Sequence, residues 1–207
     1  MSRFKVRRVT VRDASVLVAV TPCETPDTHK NEEVLTLTLE DYEACHTPTV
    51  GDVLSEEETA RLRHGDRRHA ALTRALRILA AGDNSTSLLF SKLRRHGVDR
   101  PDAAFAVKYA VSHGLLREEE QIERLICRSA EEKLWGRTRI LHELEAKGYH
   151  REDVRTVIAR LESDGTLDFA AVYQRLREKS RPEDPAEWAK IAARHGFDNA
   201  FLDADSV

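Results

Sequence analysis

Apolar positions along this chain change their period once. In the first fifty residues they alternate. Val9 and Val11 come first, then Val16-Leu17-Val18-Ala19-Val20, then Leu35, Leu37 and Leu39 interleaved with Thr36 and Thr38. Period two with β-branched fill predicts half-buried strands. Asp13-Ala14-Ser15 is turn-like. The stretch from Thr21-Pro22 to Asn31 holds two prolines and predicts a loop. The expectation is three short antiparallel strands ending near Tyr42. A sheet this small hides only one face and must pack on the helices downstream of it.

From Ser55 onward the period is helical. Ser55-Glu56-Glu57-Glu58 is a helix start, in which serine caps free amide groups and Glu58 completes a capping box. Three later stretches share one ending: Leu93-Arg94-Arg95-His96-Gly97-Val98, Leu144-Glu145-Ala146-Lys147-Gly148-Tyr149 and Ala192-Ala193-Arg194-His195-Gly196-Phe197. The glycines are 51 and 48 residues apart. Each predicts a helix stopped by a left-handed glycine, with a basic residue at the negative end of the dipole and an apolar residue folding back on the last turn.

The core positions repeat with the caps. Leu72, Ala75, Leu76 and Leu79 are matched by Ile122, Leu125, Ile126 and Ser129, then by Phe169, Val172, Tyr173 and Leu176. Leu89 and Leu93 are matched by Ile140 and Leu144, then by Trp188 and Ala192. Ala103, Ala106, Val107 and Ala110 are matched by Val154, Val157, Ile158 and Leu161. Gly114 and Gly165 end those closing helices. The i, i+3, i+4, i+7 spacing is one apolar stripe each time. The fold class expected is mainly α: tandem three-helix repeats in an elongated curved body behind a small N-terminal antiparallel β segment. The divisions are 1–54, 55–116, 117–167 and 168–207. In the last, only Phe201 and Leu202 remain for a closing helix, so that repeat is truncated. Stacked units bury a continuous core and suit a long partner.

Composition agrees with a globular, helix-rich chain: 207 residues, 41% apolar, 33% charged and only 9 Gly and 6 Pro. No stretch is long and apolar enough for a membrane span. The N-terminus has basic residues but no apolar core or cleavage site, so no signal peptide is expected. Cys23, Cys45 and Cys127 form no CxxC pair, which argues against a disulfide framework and for a cytoplasmic protein. Cys23 and Cys45 are candidates to face each other in the sheet, with small buried thiols the plainer alternative. The net charge is −3 but uneven: residues 60–100 carry 10 basic and 3 acidic residues, whereas residues 1–59 carry 6 and 12. A basic block in an acidic chain suits a phosphate backbone or an acidic protein face, or is simply a solvated helix surface.

No GxGxxG, GxxxxGK[ST], HExxH or GxSxG occurs. His64 and His69 are five apart, where a helical metal pair prefers four. No cofactor, metal or catalytic residue is expected, and the chain reads as a non-enzyme.

The candidate site is cationic. In Lys133-Leu134-Trp135-Gly136-Arg137-Thr138-Arg139-Ile140, Gly136 breaks one helix and Arg137 and Arg139 open the next. Basic residues there oppose the helix dipole, a placement with a use if they hold a phosphate or carboxylate. Lys147 lies two turns on. Arg94 and Arg95 occupy the corresponding stretch of the first repeat, and Arg124 and Arg128 are an i, i+4 pair. Trp135 and Trp188 are core residues or base-stacking platforms. The candidate partner and DNA contacts are therefore Arg94, Arg95, Arg124, Arg128, Lys133, Arg137, Arg139 and Lys147.

Gly136-x-x-Arg139-Ile140-x-x-Glu143-Leu144-x-x-Lys147-Gly148 resembles the most recognisable segment of the RecX recombination regulators. Ala75-Leu76-Arg77-Ile78-Leu79 followed by Lys92-Leu93-x-x-x-Gly97 is similar to the opening of that family. Gly51-Asp52-x-Leu54-Ser55-Glu56-Glu57-Glu58 is similar to the N-terminal extension of some members. The resemblance runs along nearly the whole chain. It departs where Leu116-Arg117-Glu118-Glu119-Glu120 lacks the family's aromatic residue, which Asp168-Phe169-Ala170 keeps in shortened form. The resemblance implies a non-catalytic modulator acting in homologous recombination, DNA repair and the SOS response, and a monomer is expected. Such a protein binds the RecA recombinase, lies in the groove of its filament on DNA, and restrains ATP hydrolysis and strand exchange. A general DNA-binding helical module without a RecA partner is the alternative. An enzyme with an unrecognised polar cleft is the third.

Overall fold

The computed structural model describes residues 2–24, 31–182 and 184–198. The predicted loop therefore lies partly outside the described residues, and Phe201 and Leu202 lie wholly outside them. The chain forms two compact units, one from residues 1–81 and 92–112, the other from residues 82–91 and 113–207. The architecture is mainly α behind a small antiparallel sheet, as the periodicity predicts.

The first unit is built on a four-stranded sheet. Strands β1 (Arg3–Arg12), β2 (Ser15–Pro22), β3 (Glu33–Thr38) and β4 (Val53–Ser55) pair antiparallel in the order β3-β2-β1-β4. Val6 pairs Val20, Val16 pairs Leu37 and Val18 pairs Leu35. These alternating positions are buried with Phe4, Tyr42, Leu54 and Leu62.

Two features differ from the sequence expectation. Leu39 is not a strand residue. It opens a short helix, α1 (Leu39–Ala44), because Thr38 caps it by accepting a 3.0 Å hydrogen bond from the Asp41 amide. That local cap outweighs the alternating pattern. A fourth strand also exists. It is three residues long, too short to leave a periodic signal, and it pairs Leu54 with Phe4.

The Ser55 capping box forms as expected. The Ser55 hydroxyl accepts from the Glu58 amide at 3.2 Å, and the Ser55 amide donates to Glu58 at 2.7 Å. It opens α2 (Glu56–Ala80), which lies on the sheet through Leu62 and stabilises its edge. Asp66 accepts from the Thr36 amide at 2.7 Å, and Arg63 grips Glu33 at 2.9 Å. Arg68 bonds Asp41 at 2.8 Å and stacks 3.7 Å above the Phe105 ring of α4 (Arg100–Ser112). Of the first apolar stripe, Leu72 and Ala75 are buried, but Leu76 is exposed.

The second unit holds α5 (Glu118–Lys133), α6 (Arg137–Ala146), α7 (Arg151–Ser163), α8 (Phe169–Ser180) and α9 (Pro185–His195). The predicted stripes Ile122/Ile126, Ile140/Leu144, Val154/Val157/Ile158/Leu161 and Phe169/Val172/Tyr173/Leu176 merge into one core with Trp188 and Ala192. Trp188 is a core residue: its indole N–H donates to the Tyr173 hydroxyl at 2.7 Å. Helix α3 (Thr86–Arg95) contributes residues to both units. Cys23, Cys45 and Cys127 are free thiols, Cys23 exposed and the others half-buried.

The three glycine-terminated stretches end helices in the same way. Gly97, Gly148 and Gly196 have φ of 80°, 84° and 86°. The Val98, Tyr149 and Phe197 amides donate to the carbonyls of Leu93, Leu144 and Ala192 at 3.1, 3.1 and 3.0 Å. The glycine amides donate to Arg94, Glu145 and Ala193 at 3.0, 2.8 and 3.0 Å. This is the Schellman closure, and it satisfies carbonyls that a bare helix end leaves open.

Candidate functional site

The start of α6 shows what its two arginines do. Leu134 sits at φ 54° in the left-handed region and turns the chain out of α5, so that the extended Gly136 caps α6. The carboxyl end of α9 meets this amino end. The Gly136 amide donates to the His195 carbonyl at 2.8 Å, and the Thr138 amide to the Gly196 carbonyl at 3.3 Å. Free donors of one helix thus meet free acceptors of another, and opposite dipole ends face each other. Arg139 bonds the Arg194 carbonyl. It opposes the dipole of its own helix but sits at the negative end of α9, which explains a basic residue in this first turn. Its guanidinium lies 4.5 Å from the Trp135 ring, and Lys133 lies 4.1 Å from the same ring. Trp135 is half-buried between two cations rather than presented bare for stacking on a base.

The other expected contacts lie on the surface beside carboxylates or carbonyls. Arg137 pairs with Glu162 of α7. Arg124 bonds Asp83 at 2.7 Å and Arg128 bonds Glu132 at 2.9 Å, and each carboxylate pushes its guanidinium pKa up. Lys147 stands 3.6 Å from Glu143. Their side chains keep 44–66% of their exposure, so these pairs are worth little and exchange readily for another anion. Arg94 donates to the Val98 carbonyl at 2.6 Å. Lys133 and Arg139 are brought together at Trp135, whereas Arg137 turns toward α7 and Phe169. Arg94 and Arg95 belong to the first unit and the other six to the second.

Arg95 is placed differently. It lines a cleft of about 600 Å³ with Arg74 and Arg77 of α2, Lys92 and His96 of α3 and its cap, and Ile78 and Ala81. All seven residues lie within the first unit. Among the described residues no carboxylate lines the cleft. The side chains of Arg74, Arg77 and Arg95 are exposed and have no hydrogen bond or ion pair among the described residues. Arg74, Arg77 and Lys92 are absent from the sequence-based candidates. The signal for them is the excess of 10 basic over 3 acidic residues across 60–100, combined with the i, i+3 spacing of Arg74/Arg77 and Lys92/Arg95.

Among the described residues no group of three or more His, Cys, Asp or Glu is placed to hold a metal ion, and no helix is long and apolar enough to cross a membrane.

No family model matches the chain. It is 29% identical over 126 residues to the regulatory protein RecX of Pseudomonas entomophila (strain L48), spanning 59% of this chain and 81% of that protein. A crystal structure of a regulatory protein RecX superposes with a TM-score of 0.71 at 14% identity, over 98% of both chains. RecX from Lactobacillus salivarius superposes with a TM-score of 0.55, also at 14% identity, over 67% of this chain and 94% of that one. The chain thus shares its fold with these RecX structures and resembles a RecX protein in sequence over 126 residues.

Proposed function

We propose that the chain is a non-catalytic regulator of a RecA recombinase. It binds the filament that RecA forms on DNA, lies in the filament groove, and restrains ATP hydrolysis and strand exchange. The observation that carries this reading is the likeness to a protein named for regulation, running over 126 residues. Surface chemistry supports it. Arg124, Arg128, Arg137 and Lys147 are held by exposed ion pairs, so a filament carrying phosphates and acidic side chains can recruit them. Arg94, Arg95, Lys133 and Arg139 complete the set. The units 55–116, 117–167 and 168–207 act as successive contact modules of a monomer in the cytoplasm.

The test is co-sedimentation with preformed RecA–DNA filaments. The chain should pellet with filaments at moderate salt and be released as salt rises, because displaced counterions supply much of the free energy. A folded chain that stays in the supernatant at low salt contradicts the reading.

A second reading, a DNA-binding module without a RecA partner, is favoured by the basic cleft between α2 and α3. A net charge of −3 speaks against strong autonomous binding.

A further inference from the structure

The geometry points to the α2–α3 cleft as a binding site for the phosphodiester backbone of single-stranded DNA, held by Arg74, Arg77, Lys92 and Arg95. Arg74 and Arg77 stand one turn apart on α2. Lys92 and Arg95 stand one turn apart on α3. Cations therefore come from both walls of one recess, and none of the lining residues is acidic. The guanidiniums of Arg74, Arg77 and Arg95 so placed repel one another unless an anion enters between them. Elsewhere on this protein arginines take carboxylate partners, as Arg63, Arg124, Arg137 and Arg160 do. Arg74, Arg77 and Arg95 take none among the described residues.

The shape selects a strand rather than a duplex. The cleft holds about 600 Å³, the scale of a small-molecule pocket. A single strand threads its phosphates between the walls and lays a base over Ile78 and Ala81 or against a guanidinium plane. A duplex presents its phosphates on a broad rigid cylinder and touches only the rim. His96 also lines the recess. The inference goes beyond the RecA reading and does not need it, since the ligand is DNA alone.

The experiment is fluorescence anisotropy of a labelled oligodeoxythymidylate and of a duplex of equal length, titrated with the full chain over a range of salt. Four phosphate contacts on a single strand give a slope of log K against log salt near −3, at about −0.7 per contact. The Arg74→Ala/Arg77→Ala double variant should lose about ten-fold in affinity and flatten the slope by about 1.4. Alanine suits both exposed helical positions, and circular dichroism verifies the fold. Arg155→Ala, outside the cleft and outside the candidate contacts, should leave both quantities unchanged. Unchanged oligonucleotide affinity in a folded double variant, or tighter binding of the duplex than of the single strand, overturns the inference. The RecA reading is judged separately, by sedimentation of the unaltered chain with filaments, so either can fail alone.

Discussion

Gly136 and Gly196 meet backbone to backbone. A side-chain carbon on Gly136 would stand 2.6 Å from the Gly196 carbonyl oxygen, and one on Gly196 would collide with the backbone of Arg139. The amino end of α6 and the carboxyl end of α9 close on each other through this contact. Gly97 ends its helix with the same bonds and a similar φ, yet nothing lies within 4 Å of the corresponding position. Gly97→Ala should therefore cost only the left-handed strain, about 1–2 kcal/mol. Gly196→Ala adds a clash worth about 1–3 kcal/mol more. Urea denaturation of the two variants measures the gap, and equal losses would mean that the two helix ends do not touch.

Arg137 and Arg139 are two residues apart and should behave differently. Arg139 bonds the Arg194 carbonyl and stacks on Trp135, so Arg139→Ala should lower stability by about 1.5–3 kcal/mol. Arg137 holds an exposed pair with Glu162 and a distant contact with the Phe169 ring, so Arg137→Ala should change stability by less than about 1 kcal/mol. Thermal unfolding separates them. Filament binding is then best probed with Arg137→Ala, whose effect reads contact rather than folding.

Much of the helical half was legible because its signals are local. Apolar residues at i, i+3, i+4 and i+7 and a glycine behind a basic residue report on one turn of one helix, and Gly97, Gly148 and Gly196 adopt the expected left-handed caps. The N-terminal half was read less completely. Leu39 continues the alternation of β3, but Thr38 and Asp41 together outweigh it and start α1. Strand β4 exists through pairing with β1, a long-range contact that three residues do not announce. The cationic residues were legible as a set, their partners were not. Asp83 lies 41 residues from Arg124 in sequence, and Glu162 lies 25 from Arg137. The alignment of Arg74 and Arg77 with Lys92 and Arg95 likewise depends on how α3 returns beside α2.

The capping box at Ser55 predicts an acid response. Hydrogen bonds from the Ser55 amide and hydroxyl hold the Glu58 carboxyl below its ordinary pKa. A depressed pKa adds stability that is present above the usual glutamate value, about 4.3, and fades as pH falls through the lowered one. Ser55→Ala should cost about 1 kcal/mol at neutral pH. Glu58→Gln should remove part of the loss between about pH 5 and pH 3, followed by circular dichroism. An acid-unfolding curve identical to that of the unaltered chain would contradict the role of the box.

Tyr149 predicts the alkaline limit. It is buried, donates to Gln121 at 3.0 Å, and its pKa is pushed up to about 12, first by desolvation and then by Asp83 and Glu118. A raised folded pKa means stability that is intact below the unfolded value, about 10, and is lost as pH climbs toward 12. Tyr149→Phe should lose about 1 kcal/mol at neutral pH through the orphaned Gln121 amide oxygen. It should also lose stability less steeply above pH ~10. Denaturant midpoints at pH 8 and pH 11 for both proteins test this, and parallel shifts would exclude Tyr149 as the titrating group.

The proposed regulatory role is tested most directly by RecA itself. Purified RecA hydrolyses ATP when bound to single-stranded DNA, and the rate is followed while the folded chain is titrated in. A regulator acting on the filament lowers the rate at or below one chain per RecA protomer, with inhibition weakening as salt rises. An unchanged rate at several-fold excess of folded chain, under conditions where RecA filaments are intact, would contradict it.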